Sequence, residues 1–467
     1  MAVAVAIIRN AGVGAAAGPR QHQKRCVGAD ESSKCPRRSQ WRRARLAAQQ
    51  RIDLVGPSVG GGGRRAHRRS PLDMSSDAGG AAGVDCIASP ALIPAGYVQM
   101  LVSIARTKPE QNTCMSERIC VVGSGIAGLA SAWLLSDRYQ VTLVEKNTYF
   151  GGHTNTVMVD EDGEPVPVDT GFIVYNTRNY PMLVRLFERL GVPTRASDMS
   201  FAASIGPGRI EYAGDGLSTI FAQRRHAFSP RFLRMLVDIF RFGARCRRCL
   251  ARSTFDGCSL GEFLAQERFG DAFRDHYLLP MAAAIWSCPT TAMLDFPAES
   301  LARFFDNHRL LNPLERPLWR SVVGGSQTYV SRIREALGAQ RMLADAAVRV
   351  QRGASGLRVD LASGRSLAVD RVVLATHADQ ALALLEQPSA DERRLLGCFR
   401  YQPNRTFLHT DTALMPKRRK VWSAWNYLAA EDAAGTAAVS VTYWMNRLQG
   451  LQTRRDYLVS LNPLRDP

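Results

Sequence analysis

Several features that would restrict the function are missing from this sequence. No run of 18 or more apolar residues occurs, the length needed to cross a bilayer, so no spanning helix is expected. The 8 histidines include no H-x-x-x-H pair and no Cys/His cluster, so no metal site is indicated. The 10 cysteines lack disulfide-framework spacing, which suits a reducing compartment. Cys246 and Cys249 are formally C-x-x-C, but they fall inside a predicted helix, away from the strand and helix setting of a redox pair. Met1 to Ile8 carries no basic leader, and its apolar run ends at once, so a secretory signal is not expected.

Positive charge is in excess and unevenly placed. The chain has 60 Lys+Arg against 42 Asp+Glu, a net of +18, and residues 1–114 alone hold 17 basic against 7 acidic residues. That first quarter contains four Arg-Arg pairs and the run Gly60 to Gly63, without helical or strand periodicity. It reads as an N-terminal extension, disordered or not native to the working protein, with Met115 as a natural start. An organellar transit peptide is the alternative for such an Arg-rich, acid-poor leader. Otherwise the expected location is cytoplasmic. No aromatic pattern accompanies the arginines, so no nucleic-acid partner is expected.

What the sequence does contain is clearest between Arg118 and Gly152. Ile119-Cys120-Val121-Val122 has the length and composition of a buried parallel strand. Gly123, Gly125 and Gly128 follow as G-x-G-x-x-G, then a helical run, then a second apolar strand, Val141 to Val144, ending in Glu145. In this unit the glycines serve a tight turn, close approach to a pyrophosphate, and close helix packing, while the acid accepts ribose hydroxyls. An acid at that point argues against a 2′-phosphate, so NADP is disfavoured. Further on, Ser229 to Leu250 places Phe232, Met235, Leu236, Ile239, Phe240, Cys246 and Leu250 on one helical face and Arg231, Arg234, Arg241, Arg245 and Arg248 on the other. Such a helix is either an ordinary domain helix with a solvated basic face or one that makes peripheral membrane contact.

Beyond Glu145 the chain reads Gly151-Gly152-His153-Thr154, Val168 to Phe172 (VDTGF), Ala284 to Ser287 (AIWS), Phe304 to His308 (FFDNH), Gly324 to Ser326, Ala375 to Asp379 (ATHAD), His409 to Asp411, Met415-Pro416 and Trp425 to Tyr427. On these motifs it resembles the flavoproteins that share the fold of flavin amine oxidases, phytoene desaturases and protoporphyrinogen oxidases. More narrowly, it is similar to a branch of FAD/NAD-binding proteins associated with cyclopropane-fatty-acid synthase. The resemblance runs from Met115 onward and implies FAD. It assigns Gly123, Ser124, Gly125, Ala127 and Gly128 to the pyrophosphate, Glu145 and the adjacent Lys146 to the ribose, and Gly151, Gly152 and His153 to the phosphates. Thr170 and Gly171 would run near the flavin, Val348 would offer a backbone edge to the adenine, and Thr376 would close a returning strand. Where amine oxidases usually place Arg after the Gly-Gly pair, this chain has His153.

The implied fold is α/β, a Rossmann-type FAD-binding domain of the glutathione-reductase-like kind joined to a mixed α+β substrate domain. The expected boundaries are 115–194 with 321–398 for the FAD domain and 195–320 with 399–467 for the substrate domain. Trp286, Trp425 and Tyr427 are the substrate-side candidates, and no catalytic acid/base pair stands out. From Met115 to the end there are three lysines, Lys146, Lys417 and Lys420. Many flavin amine oxidases place a lysine by the flavin, and none of these is well positioned for it. The expectation is therefore dehydrogenation, desaturation or isomerisation of an apolar, lipid-like substrate, with a fatty-acid methyltransferase as a candidate partner. Amine oxidation and a flavin-poor binding role are the alternatives. The family's closing segment, a flavin-contacting stretch and a long helix, has no counterpart before Pro467, so the flavin end of the site is expected to be incomplete.

Overall fold

The apolar run after Glu117 is the central strand of a five-stranded sheet. The computed structural model describes residues 117–467, apart from 287–289, 313, 315–316, 355 and 432–436, together with the short strands Ala6–Arg9 and Ile87–Ala88. Strand β1 (Arg118–Val122) pairs in parallel with β2 (Gln140–Glu145) on one side and with Arg371–Leu374 on the other, and Met342–Ala344 extends the sheet beyond β2. Burial on both faces explains the unbroken apolar composition of β1. Ile119 and Val121 pack with Leu129, Phe187, Tyr329 and Ile333 on the helical side. Cys120 and Val122 pack with Val350, Leu357 and Val359 of an antiparallel meander, Ala347–Gly353, Gly356–Leu361 and Ser366–Val369, on the other. Burial pushes the Cys120 thiol up to about 12, which leaves it an inert core side chain. Helix α1 (Ile126–Ser136) joins β1 to β2 and buries Leu129 and Ala132 against the sheet.

A second sheet has six strands in the order Ile210–Ala213, Phe201–Ile205, Trp425–Glu431, Ala437–Trp444, Leu458–Leu461 and Thr406–His409. Phe201–Ile205 runs parallel to Trp425–Glu431 and the other pairings are antiparallel. A helical layer beside it is organised on α2 (Pro230–Arg252). This helix starts with proline at its first position and Ser229 accepting the Phe232 N–H, and it ends at Ser253 in the left-handed region, φ 54°. Its buried side carries Phe232, Met235, Phe242, Cys246 and Cys249 into a core with Phe263, Phe273, Leu301 and Phe305. Phe240 differs from the sequence reading, which set it on the apolar face with Phe232 and Met235; it is 52% exposed. A small sheet of Val174–Asn176, Trp319–Val322 and Thr194–Ser197 lies between the two larger ones in sequence.

Within the stretch read as an N-terminal extension, Ala6–Arg9 pairs antiparallel with Arg371–Leu374, and Ile87–Ala88 with Tyr401–Gln402. The rest of that reading lies outside the described residues. Among the described residues no helix is long and apolar enough to cross a membrane, and no group of three His, Cys, Asp or Glu side chains is placed to hold a metal ion.

Candidate functional site

The three glycines after β1 have different reasons for being glycine. Gly123 turns the chain at φ +97°, a conformation that L side chains rarely adopt, and donates its N–H to the Val144 carbonyl at 2.9 Å. At Gly128 a Cβ would lie 1.7 Å from the Gly123 carbonyl oxygen, so α1 can meet the turn only without a side chain there. Gly125 is the contrasting case. A Cβ at that position would meet nothing within 4 Å, and its φ of −59° suits any residue. The protein's own packing does not demand glycine here; what the missing side chain leaves is room. Gly125 is also the N-cap of α1, with no side-chain cap and no acid in the first turn. The N–H groups of that turn therefore keep their donor capacity and the helix keeps its positive end, a combination that binds phosphate.

Glu145 ends β2 beside this turn, buried. Its Oε2 accepts the Ser124 N–H at 2.8 Å and the Ser124 hydroxyl at 2.6 Å, and Oε1 accepts the Asn147 N–H at 3.1 Å. These donors fix the carboxylate while leaving Oε1 with lone-pair capacity for a ribose hydroxyl. Ser124 in turn accepts from the Gly151 N–H at 3.2 Å, and Gly125 and Gly151 form a parallel bridge. Gly152 comes so close that a Cβ on it would sit 3.1 Å from Gly125 Cα. His153 continues the ring, and its carbonyl accepts the Phe172 N–H at 2.9 Å, which draws Thr170 and Gly171 alongside. Thr170 is held by Asn155, whose Nδ2 donates to its hydroxyl at 2.7 Å.

From the returning strand, Thr376 places its methyl 3.1 Å from where a Gly123 Cβ would be. His377 stacks on His153 at 5.8 Å and on Tyr401 at 4.3 Å, and Tyr401 Oη accepts the Ala378 N–H at 2.8 Å. Burial, then the neighbouring His153, lower the His377 imidazole, with a smaller push from Lys146, so it is neutral at physiological pH. Lys146 itself is exposed. Val348 is half exposed on the first meander strand, where a register shift between Ala347 and Arg349 leaves it outside the ladder. Its neighbouring edge strand pairs Ala344 with Glu145.

Two groups carry weight that the sequence reading gave them no role for. The His377–Tyr401 stack is one, although His377 lay inside a motif already noted. Asp169 is the other. It is fully buried, with Oδ1 accepting from Thr156 Oγ1 at 2.6 Å and from the Ser326 N–H and hydroxyl at 2.8 Å each, and with Oδ2 accepting from Gln449 Nε2 at 3.1 Å. Burial raises its carboxyl to about 6, against the lowering effect of the Thr156 and Ser326 hydrogen bonds. Nothing in the spacing of Asp169 and Gln449, 280 residues apart, could have linked them.

The substrate-side candidates do not come together as one cluster. Trp286 is buried in the helical core, its ring 4.7 Å from Phe304 and 5.3 Å from Phe296. Trp425 and Tyr427 share one face of their strand: Trp425 packs edge-on to Tyr443, and Tyr427 packs with Ala283, Ala284 and Val441. Burial raises the Tyr427 phenol well above its usual range, so it stays protonated.

Gly125's open position, the uncapped start of α1 and the buried Glu145 carboxylate fit a dinucleotide carrying FAD's pyrophosphate and adenosine ribose. A match to the family described as flavin containing amine oxidoreductase spans residues 126–459. An L-amino-acid oxidase of Siganus canaliculatus is 40% identical over 68 residues, 14% of this chain and 12% of that protein. A hydroxyneurosporene desaturase of Rubrivivax gelatinosus is 48% identical over 64 residues, 14% of this chain and 11% of that protein. The chain thus spans about a tenth of the length of each of these curated relatives. Among solved structures, a CLA-producing fatty acid isomerase from P. acnes has the same fold, with TM-score 0.53 and 15% identity, over 76% of this chain and 79% of that one.

Proposed function

The chain belongs to the flavin containing amine oxidoreductases, and on that premise we propose that it is an FAD-dependent oxidoreductase that dehydrogenates, desaturates or isomerises an apolar, lipid-like substrate. Bound FAD supplies a hydride acceptor, chemistry that side chains lack. The chain's own residues bind and orient. Gly123, Ser124, Gly125, Ala127 and Gly128 present the turn and the start of α1 to the pyrophosphate, Glu145 accepts from the ribose, and Gly151, Gly152 and His153 close the phosphate side. Thr170 and Gly171, tied to His153, lead toward the flavin.

One observation favours an apolar substrate over an amine. All three lysines from Met115 onward, Lys146, Lys417 and Lys420, are exposed, so none is buried beside a flavin as in many amine oxidases. The hydroxyneurosporene desaturase match agrees with it, while the L-amino-acid oxidase match keeps amine oxidation as the competing reading. The narrower resemblance makes a fatty-acyl chain the substrate of choice within this proposal and a fatty-acid methyltransferase a candidate partner.

Purified protein should show visible flavin absorbance, or gain it on adding FAD. Mixed without oxygen with unsaturated fatty acids and carotenoid precursors, it should bleach or turn over. Hydrogen peroxide release from an amine or amino-acid panel, with no response to the apolar panel, would overturn the substrate proposal. A protein that takes up no flavin would overturn the enzyme proposal itself.

A further inference from the structure

Helix α2 has two apolar faces, of which its own core uses one. Phe232, Met235, Phe242, Cys246 and Cys249 point into the helical core. On the other side, Leu233, Val237 and Phe240 recur at i, i+4 and i+7, which makes them neighbours in one stripe, and Val237 is 64% exposed. Phe228, 86% exposed, sits just before the Ser229 cap, the position that lies nearest Leu233 at a helix start. Leu217 is exposed in the segment leading to it.

The exposed charge of this segment has one sign. Residues 217–252 contain nine arginines and a single acid, Asp238. Asp238 is buried, accepting from Arg241 at 2.6 Å and from the Gly270 N–H at 3.0 Å, so it contributes nothing to the exposed face. Arg245 is paired with Glu267 at 2.7 Å. Arg224, Arg231, Arg248 and Arg252 are exposed and form no ion pair among the described residues. An apolar stripe bordered along one side by the unpaired guanidinium groups of Arg248 and Arg252 is complementary to a surface that is oily within and anionic at its rim. A second copy of this chain would instead set two arginine-rich faces against each other.

We propose that the outer face of α2, with Phe228, docks the protein on the surface of a membrane bearing anionic headgroups, the side chains of Leu233, Val237 and Phe240 entering the acyl boundary and the arginines contacting phosphates. The inference does not depend on the substrate or on FAD. It is tested by co-sedimentation of the full chain with phosphatidylcholine vesicles, with and without phosphatidylglycerol. Binding is expected to require the anionic lipid. The triple variant L233S/V237S/F240S should weaken it about tenfold or more, and R248Q/R252Q roughly fivefold per arginine removed. All these side chains are exposed, so thermal unfolding monitored by circular dichroism should be unchanged, and the arginine variant stands as a second probe should the triple variant fold poorly. Equal vesicle binding by wild type and both variants would overturn the proposal by placing the contact in another basic segment, such as residues 1–114. So would a concentration-dependent dimer that the triple variant abolishes, in a protein that ignores vesicles.

Discussion

The glycine turn after β1 and the six-stranded sheet are held together by opposite kinds of contact. Around the turn, most partners are close in sequence, Ser124 with Glu145, Gly125 with Gly151 and Val121 with Leu143, and the strand ending before Ala375 and Thr376 is the distant exception. In the six-stranded sheet, Phe201–Ile205 lies against Trp425–Glu431, more than 200 residues away. The first region is specified by backbone geometry, since its tightest contacts are between main-chain atoms and admit one residue type. The second is specified by apolar fit, which many residue combinations satisfy. A functional group in the first region therefore has a fixed address, and one in the second does not.

The sharpest way to break that comparison is within the turn itself. Gly128→Val would drive a side chain into the Gly123 carbonyl, 1.7 Å from its Cβ, and should cost more than ~4 kcal/mol, enough to abolish a soluble, cooperatively unfolding protein. Gly125→Ala meets no protein atom within 4 Å and should leave the unfolding temperature unchanged or slightly raised, while FAD affinity falls about tenfold or more. Thermal unfolding of both variants, with FAD titration of the alanine variant, checks the pair. A Gly125→Ala protein as unstable as Gly128→Val would mean that Gly125 serves packing, not a ligand.

The same contrast explains what could be read from the sequence. The strand, turn, helix and strand from Arg118 to Glu145, and the glycines with Glu145 and Gly151 to His153, were legible because their spacing is imposed by the backbone. Phe240 was misplaced because helical periodicity cannot say which of two apolar stripes meets a core. Gln449 was illegible because its role exists only once Asp169 is buried beside it, and no local pattern announces a partner that distant. That Asp169–Gln449 link supplies the next test. Burial lifts the carboxyl from an ordinary value of 3.8 to about 6, so between those values the folded protein holds a proton that the unfolded chain releases. Stability from this group is full below the unfolded value and lost as pH rises through about 6, an effect of ~3 kcal/mol. Asp169→Asn removes that titration. Its stability relative to wild type, from urea unfolding at about pH 4.5 and about pH 7.5, should rise with pH. A difference that is constant across that range would mean that Asp169 does not titrate there.

The smallest expected effect falls in the apolar region. Trp286 is 4% exposed, and its Nε1 has no hydrogen-bond partner among the described residues. An unpaired indole N–H in a core carries a desolvation cost of about 1–3 kcal/mol, and Phe in its place would remove that cost while leaving a cavity where the second ring was. The two terms oppose each other, so Trp286→Phe should change stability by only about 1 kcal/mol, read from denaturant unfolding. The surrounding Phe296, Phe304 and Phe305 rings offer no acceptor and could close in on a smaller ring. A loss above about 3 kcal/mol would show that Nε1 is bonded to an ordered water, and that this core holds a polar contact with a fixed address of the kind found around the glycine turn.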